Sequence, residues 1–371
     1  LNAQTINIPD ANFKSDLIAR GVDTNKDGEI QESEALAITY LDVSEDIQNY
    51  NSADDIRDLT GIEYFKNLTY LDFSRNQVAS LNTINLTKLT KLFCRSNNLT
   101  DLDVSKLLKL TELDCYSNKL TNLDVSILTN ITSLNYASNN ITNLDVSKLI
   151  NLTSLNCSFN SLTSLDVSKL TKLTSVQCLY NSLTSLDVSK LLKLTKLNCS
   201  KNKITSLNLD NLLELIELDC SINLLTSLDV SSLTGLIKLE CSENKLTSLD
   251  VSSLTKLEEI KCSGNKLTIL NLGSIKNVKK LYCSKNQLSN LNVNNLINLD
   301  ILDFSSNRLT NINLTTPINL SVLLGRSNLI TSLNVDLLTN LFNLYCDSNQ
   351  ITSLNLSNNI KLRSLYCGVN Q

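Results

Sequence analysis

A run of oxygen-bearing side chains near the amino terminus has the spacing of a metal site. Its members are Asp23, Asn25, Asp27, Glu29, Gln31 and Glu34. Side chains at alternate positions of such a stretch can converge on one ion, and Gly28 permits the sharp turn that this requires. Because the ligands are hard oxygens without Cys or His, they favour calcium over zinc or copper.

The same stretch, D-x-N-x-D-G-x-I-x-x-x-E from Asp23 to Glu34, resembles the calcium loop of the EF-hand family. The resemblance implies that Glu29 contributes its backbone carbonyl and that Glu34 binds through both carboxylate oxygens. An acidic, Asx-rich turn without an ion is the alternative. No second loop of this kind occurs, and residues 32–38 are too short for a full exit helix. We therefore expect Ca²⁺ to act as a structural clip of weak affinity, about 10⁻⁴ to 10⁻³ M, and not as a sensor.

A short helix precedes the loop. Asp10 is a suitable N-cap, Phe13, Leu17 and Ile18 share one face, and Gly21 ends the helix. Such an amphipathic helix is expected to cover the exposed end of a stack of repeats.

The rest of the chain is a strict repeat of 21 residues, marked by one asparagine per unit. These asparagines are Asn76, Asn97, Asn118, Asn139, Asn160, Asn181, Asn202, Asn223, Asn244, Asn265, Asn286, Asn307, Asn328, Asn349 and Asn370. In the segment L-x-x-L-x-C of each unit, Leu and Cys alternate as in a short strand with one buried face. Because no unit can bury that face alone, the repeats must stack into a solenoid, and the asparagines are expected to satisfy backbone groups at the turns.

The pattern L-x-x-L-x-L/C-x-x-N-x-L resembles the leucine-rich-repeat family, and residues 56–62 followed by 68–71 look like bacterial internalin-like members. We predict a solenoid of the α/β repeat class, mostly β, with a parallel sheet on the concave face, an extended or irregular convex face and a short helical amino-terminal cap. The predicted domains are a cap over residues 1–37 and a solenoid over 38–371. The first repeat, 38–67, is irregular because of a polar insertion from Ser44 to Asp55, and the regular repeats occupy 68–371.

The cysteines occupy one inward position of the repeat. They are Cys94, Cys115, Cys157, Cys178, Cys199, Cys220, Cys241, Cys262, Cys283, Cys346 and Cys367. Their odd number and parallel side chains argue against systematic disulfide pairing, so we expect buried thiols that act as small apolar side chains. Elsewhere the column holds Phe73, Tyr136, Phe304 and Gly325, and the bulky Phe304 beside Gly325 indicates compensation of volume.

The outward strand positions carry the variable chemistry. Two apolar sets are candidate partner-binding surfaces: Phe93, Tyr116, Phe159, Leu179 and Tyr180; and Tyr282, Ile301, Val322, Leu324, Tyr345 and Tyr366. Between them, a column of alternating charge is expected to be a solvated surface: Lys196, Glu217, Lys238, Glu259 and Lys280. The back face carries a column of aspartates: Asp103, Asp124, Asp145, Asp166, Asp187, Asp229 and Asp250. A lysine follows four of them by three residues, at Lys106, Lys148, Lys169 and Lys190, which favours a charge-balanced, hydrogen-bonded surface over a cation ladder.

Composition narrows the function. The chain has no histidine, which removes the usual general base and most catalytic zinc sites. A net charge of −4 offers no basic footprint for nucleic acid, and no apolar run spans a bilayer. The prediction is a non-enzymatic recognition or adhesion protein, secreted or on the bacterial cell surface, that binds a host or cell-surface protein. Glycan binding is the alternative. We also expect the natural polypeptide to continue beyond Gln371, because an uncapped repeat is unfavourable.

Overall fold

The computed structural model describes residues 4–45, 53 and 55–371. The chain forms two compact units, Leu1–Leu183 and Thr184–Gln371. Most of the predicted polar insertion between Ser44 and Asp55 lies outside the described residues. Among the described residues, no helix combines the length and the apolar character that crossing a membrane requires.

The first unit begins with the predicted cap. Helix α1 spans Ala11–Ala19, and the Asp10 carboxylate accepts hydrogen bonds from the N–H groups of Asn12 and Phe13, so Asp10 is the N-cap as predicted. Gly21 follows the helix with φ 79°, a left-handed conformation that suits a C-terminal stop. The predicted apolar face is partly wrong, because Phe13 and Leu17 are buried but Ile18 is exposed.

A side chain of the cap joins it to the first repeat. Helix α2 spans Glu32–Ala37, and a 3₁₀ turn spans Ile62–Tyr64. Within the cap, the Ile6 N–H donates to the Ile30 carbonyl at 2.7 Å. The second oxygen of Asp10 accepts from the N–H groups of Arg57 and Asp58, at 2.8 and 3.0 Å. Asp10 therefore both begins the cap helix and ties it to the first repeat.

Each repeat contributes one short strand. In the first unit the strands are β1 Tyr40–Asp42, β2 Tyr70–Asp72, β3 Lys91–Phe93, β4 Glu112–Asp114, β5 Ser133–Asn135, β6 Ser154–Asn156 and β7 Ser175–Gln177. They form a parallel sheet in chain order, and each pair is in register one repeat apart. The central residue of every strand is buried, as Leu92 and Leu134 are, and the residues on either side of it point outward.

The second unit repeats this arrangement, except that Leu365, the central residue of its last strand, is exposed. Its sheet contains β8 Lys196–Asn198, β9 Glu217–Asp219, β10 Lys238–Glu240, β12 Glu259–Lys261, β14 Lys280–Tyr282, β15 Ile301–Asp303, β16 Val322–Leu324, β17 Asn343–Tyr345 and β18 Ser364–Tyr366. On the back face, β11 Ser248–Asp250 pairs in parallel with β13 Ile269–Asn271, and the remaining described segments there are turns and extended chain. The predicted fold, a mostly-β parallel solenoid of 21-residue repeats without helices on its back face, is confirmed.

The repeated asparagines form the predicted structural ladder. Asn139 is buried, and its Oδ1 accepts from the Leu120 N–H of the previous repeat at 3.0 Å. Its Nδ2 donates to the carbonyls of Cys115 and Tyr136, both at 3.0 Å. One amide thereby pairs three backbone groups that the turn leaves without partners, and it joins two repeats.

Candidate recognition surface

The outward side of strands β16 to β18 carries aromatic rings around one arginine. Tyr345 and Tyr366 end adjacent strands, and their ring centroids lie 4.6 Å apart in an edge-to-face arrangement. The Arg326 guanidinium lies over both rings, 4.4 Å from the centroid of Tyr345 and 5.0 Å from that of Tyr366. Its Nε also lies 2.8 Å from Oδ1 of Asp347. We call Arg326, Tyr345, Asp347 and Tyr366 the C-terminal cluster.

The other predicted members of this set continue the surface. Val322 and Leu324 lie in register with Asn343 and Tyr345 on the next strand. Tyr282 and Ile301 occupy outward positions of β14 and β15. All four residues are half-buried. The structure thus brings this predicted set onto consecutive strands, but sequence reasoning missed Arg326, because Ser stands at the equivalent position of most repeats.

The predicted set in the first unit is connected by ring contacts only in part. Phe159 and Tyr180 stack with centroids 5.2 Å apart, and Leu179 is half-buried. Phe93 instead contacts Tyr70, at 5.5 Å between centroids. Tyr116 is exposed, and none of the ring contacts between described residues involves it. Ring contacts thus join only part of the set, and binding of a partner by these residues stays a prediction.

Sequence reasoning also missed the most closely stacked pair of rings. Tyr40 and Tyr70 begin strands β1 and β2, and their rings lie nearly parallel, with centroids 4.2 Å apart and planes at 14°. Burial, and then the negative charge of Asp72, raises the pKa of the Tyr70 hydroxyl. The sequence could have indicated this ring pair, because the triplet Tyr-Leu-Asp occurs at residues 40–42 and again at 70–72.

Phe159 and Tyr180 occupy an unusual backbone position. The residue before the ladder asparagine has positive φ, and here φ is 53° for Phe159 and 56° for Tyr180. Bulky residues rarely adopt this left-handed conformation, because Cβ approaches the backbone too closely. The same conformation recurs at this position in nearly every repeat, as at Ser117, Ile222 and Glu243. It therefore belongs to the turn of the repeat and is not particular to the two aromatic residues.

The column of alternating charge is a set of exposed cross-strand pairs, as predicted. Lys196 Nζ lies 3.3 Å from Glu217 Oε1, and Lys238 Nζ lies 3.9 Å from Glu259 Oε2. Lys261 adds contacts to Glu240 and Glu259 at 2.8 and 3.1 Å. Exposed pairs of this kind contribute little to stability, and they leave this part of the sheet nearly neutral.

The predicted calcium ligands lie in one tight loop whose carboxylates bind its own N–H groups. Asp23 accepts from the N–H groups of Lys26 and Gly28, at 2.6 and 3.0 Å. Glu34 accepts from the N–H groups of Thr24 and Gln31, at 2.7 and 3.0 Å. Gly28 has φ 82°, which glycine adopts without strain.

The loop amides link the remaining predicted ligands. Asn25 Nδ2 donates to Asp27 Oδ2 and to Gln31 Oε1, both at 3.0 Å. Glu29 directs its side chain to Lys14 Nζ, 2.6 Å away, so only its carbonyl would serve an ion. The N–H of Glu29, with the amides of Gln31 and Asn25, holds the pKa of Asp27 below its usual range. No three His, Cys, Asp or Glu side chains of the described residues are gathered around a common metal position. Calcium binding stays a prediction.

Comparison with solved structures relates the repeat to bacterial leucine-rich-repeat proteins. The chain matches no protein-family model and no curated protein. Among solved structures, the functional domain of InlJ from Listeria monocytogenes, which includes a cysteine ladder, is 33% identical, and the match covers 94% of this chain and 77% of that one with a TM-score of 0.72. The chain belongs to the internalin-like family of bacterial leucine-rich-repeat proteins.

Two further structures agree with this assignment. InlF, an internalin from Listeria monocytogenes, is 26% identical to this chain. The match covers 98% of this chain and 97% of InlF, with a TM-score of 0.64. A leucine-rich-repeat protein of Leptospira interrogans is 25% identical over 94% of this chain and 98% of its own, with a TM-score of 0.71.

The internalin-like chain has its own column of cysteines inside the repeats. Ten of these thiols are buried, and no disulfide joins any two cysteines of the described residues, as predicted for apolar core residues. Cys367 is exposed, contrary to the prediction. Burial raises the pKa of Cys157 and of Cys199 to about 12. These thiols therefore stay protonated at neutral pH, and unreactive thiols fill space in the core.

As predicted, the back-face aspartates of the internalin-like chain are hydrogen-bonded. Asp145 Oδ1 accepts from the N–H of Ser147 at 2.9 Å, and the same bond to the serine two residues on recurs at Asp103, Asp124, Asp166, Asp187, Asp229 and Asp250. The Ser147 hydroxyl and N–H hold the pKa of Asp145 below its usual range. None of the ion pairs among described residues joins these aspartates to the downstream lysines, so the surface is hydrogen-bonded without direct charge pairing.

Proposed function

We propose that this protein is a non-enzymatic recognition protein, secreted or exposed on the bacterial cell surface, which binds a protein partner through the outward side of its strands. The C-terminal cluster is the observation that carries the proposal. It places two tyrosines and one arginine together on a rigid sheet, and these residue types dominate the energetics of protein–protein interfaces.

The packing of the cluster favours a protein over a glycan. Sugars stack on open aromatic faces, but the Arg326 guanidinium already lies over Tyr345 at 4.4 Å. Ring edges, tyrosine hydroxyls and the guanidinium remain for a partner to contact. Together with the half-buried Val322 and Leu324 beside them, they make an apolar centre with polar groups around it, which is the usual composition of a protein interface.

An extracellular location is part of the same proposal, and a calcium-stabilised cap would suit it. The loop offers three carboxylates, from Asp23, Asp27 and Glu34, and two amide oxygens, from Asn25 and Gln31. Hard oxygen donors of this kind fit Ca²⁺, and the left-handed Gly28 keeps them within one turn. These five side chains and the Glu29 carbonyl would hold the ion. The bound charge would replace the N–H groups that now satisfy the carboxylates, and a weak site matches millimolar external calcium.

The binding proposal is tested by probing an array of proteins and glycans with the whole chain and with single variants. Tyr345→Ala and Tyr366→Ala should each weaken capture of a protein partner by about tenfold or more, as truncation of an interface anchor does. Phe342→Ala is the matched control: Phe342 is also exposed and carries Arg363 at 4.9 Å, but it lies outside the outward strand positions. Equal loss in all three variants, or unchanged capture by the tyrosine variants, would contradict the assigned surface. Selective capture of glycans would establish the alternative.

A further inference from the structure

Among the described residues, two carboxylates at the start of the first sheet have no cationic partner. Asp42 and Asp72 end strands β1 and β2 and lie in register. One oxygen of each is used locally, since Asp42 Oδ1 accepts from the Ser44 N–H at 3.0 Å and Asp72 Oδ1 accepts from the Ser74 N–H at 2.8 Å. No ion pair among described residues includes either carboxylate. Their second oxygens remain for another group.

Aromatic rings stand on the same two strands. Tyr70 covers one face of the Tyr40 ring, with the planes at 14°, but 60% of Tyr40 is still exposed. The electron-rich face of an aromatic ring attracts a cation, and it does so best next to a carboxylate. Strands β1 and β2 thus present a surface that is both aromatic and anionic.

The next strand shows which group completes such a surface. Arg95 lies two residues beyond Phe93; its guanidinium is 5.5 Å from the Phe93 centroid, and its Nε is 2.8 Å from Asp114 Oδ2. One arginine there both packs over a ring and pairs with a carboxylate. At the equivalent positions of the two preceding repeats stand Ser44 and Ser74, which are too short and carry no charge.

Nearby cations of the chain do not fill this place. Lys91, next to Tyr70 on the adjacent strand, pairs with Glu112 at 2.7 Å. Arg75 donates to the Glu45 carbonyl at 3.4 Å and takes part in none of the ion pairs between described residues. Strands β1 and β2 thus combine rings and carboxylates, as β3 and β4 do, but at different strand positions and without an arginine.

We propose that Tyr40, Asp42, Tyr70 and Asp72 form a binding site for an arginine side chain within a basic peptide segment of the partner protein. The site rests on the proposed recognition function and adds to it a chemical class of partner. Arginine suits it better than lysine, because a planar guanidinium can stack on a ring while it donates in a fork to a carboxylate. Asp42 and Asp72 lie one strand spacing apart, so neighbouring basic side chains of an extended peptide can each meet one carboxylate.

Fluorescence anisotropy with labelled hexa-arginine tests the site, with hexa-citrulline as the uncharged probe of the same shape. The whole chain should bind hexa-arginine at least about tenfold more tightly than hexa-citrulline in about 0.15 M salt, where long-range attraction is screened. The double variant Asp42→Asn/Asp72→Asn should reduce affinity for hexa-arginine by about tenfold. Tyr40→Leu, which keeps apolar bulk but removes the ring, should reduce it by about two- to fivefold.

The matched control removes the same charge elsewhere. Asp124→Asn/Asp145→Asn alters two aspartates that also accept a serine N–H, but on the back face away from aromatic rings. This control should change hexa-arginine affinity by less than about twofold. Equal weakening by both double variants would show attraction to net charge alone and overturn the site, as would equal binding of the two peptides. Neither result affects capture that depends on Tyr345, so failure of this site and failure of the recognition function are separable.

Discussion

Phe304 fills the space that a side chain at Gly325 would occupy. A Cβ built on Gly325 collides with the Phe304 ring, although both residues stand at the inward position that cysteine holds in most repeats. The ring is 1% exposed, so the large residue of one repeat has displaced the side chain of the next. This confirms the compensation of volume expected from the sequence.

Placing cysteine at positions 304 and 325 should show that the two residues contribute to stability jointly. Gly325→Cys should lower the free energy of unfolding by about 1–3 kcal/mol through overpacking, and Phe304→Cys should lower it by about 2–5 kcal/mol through a cavity. The double variant should lose less than the sum, with a coupling of about 0.5–3 kcal/mol, because the new thiol enters the space that the ring leaves. Urea unfolding under reducing conditions measures all three, and additive losses would contradict the contact.

Two adjacent asparagines, one buried in the ladder and one exposed, allow the contribution of the ladder to stability to be measured. Asn139→Ala should lower the free energy of unfolding by about 1–3 kcal/mol for each buried backbone group left unpaired, since its amide serves Leu120, Cys115 and Tyr136. Asn140 is exposed, so Asn140→Ala should stay within about 0.5 kcal/mol of wild type. Chemical denaturation of the two variants provides the measurement. Similar losses would mean that the buried amide is not what joins the repeats.

Prediction from sequence succeeded where one residue type had one repeated environment. The positions of the ladder asparagines, the buried leucines and most cysteines follow from the fixed spacing. In a stack of similar repeats, each residue packs against the equivalent residues of the adjacent repeats. Prediction from sequence failed where a side chain can contact more than one neighbour and the sequence does not indicate which one it contacts. Ile18 lies on the helix but not on its buried side, and Phe93 turns to Tyr70 and not to Tyr116.

The candidate surface shows the same limit. Tyr345 and Tyr366 were predicted as outward residues, because alternation along a strand fixes the side on which a residue lies. Arg326 was missed, because its role depends on a long, flexible side chain crossing to the next two strands. The left-handed backbone of Phe159 and Tyr180 was missed too, since neither residue type signals that conformation.

The buried thiols should make the protein sensitive to alkali. Burial raises the pKa of Cys157 to about 12, so its folded pKa lies above the value of about 8.5 in an unfolded chain. A raised pKa contributes stability that is fully present below about pH 8.5 and is lost as pH rises toward the folded pKa. The free energy of unfolding should therefore fall above about pH 8.5, by up to about 1.4 kcal/mol per pH unit for each such thiol.

The variant Cys157→Ala measures the contribution of one buried thiol to the pH dependence of stability. The variant should be less stable at pH 7 because of lost packing, but its stability should decline less steeply between pH 8.5 and 10 than that of wild type. Urea unfolding across this range, with reductant present, gives the two slopes. Cys367→Ala is the control, because that thiol is exposed and should leave the slope unchanged. Parallel profiles for Cys157→Ala and wild type would show that the buried thiol does not contribute.

Calcium should stabilise the amino-terminal cap. If the loop binds with a dissociation constant of about 10⁻⁴ M, calcium at about 10 mM stabilises the folded cap by about 2.7 kcal/mol. The melting temperature should rise with calcium, and Glu34→Gln should abolish the increment, because an amide cannot offer two anionic oxygens to the ion. Glu32→Gln is the matched control: Glu32 begins the same helix, pairs with Lys66 at 2.7 Å and is not among the predicted ligands. It should keep the increment. Hydrogen exchange should show the protection confined to residues 10–40, with residues 184–371 unchanged, and a chelator that alters neither the melting temperature nor this protection would contradict the clip.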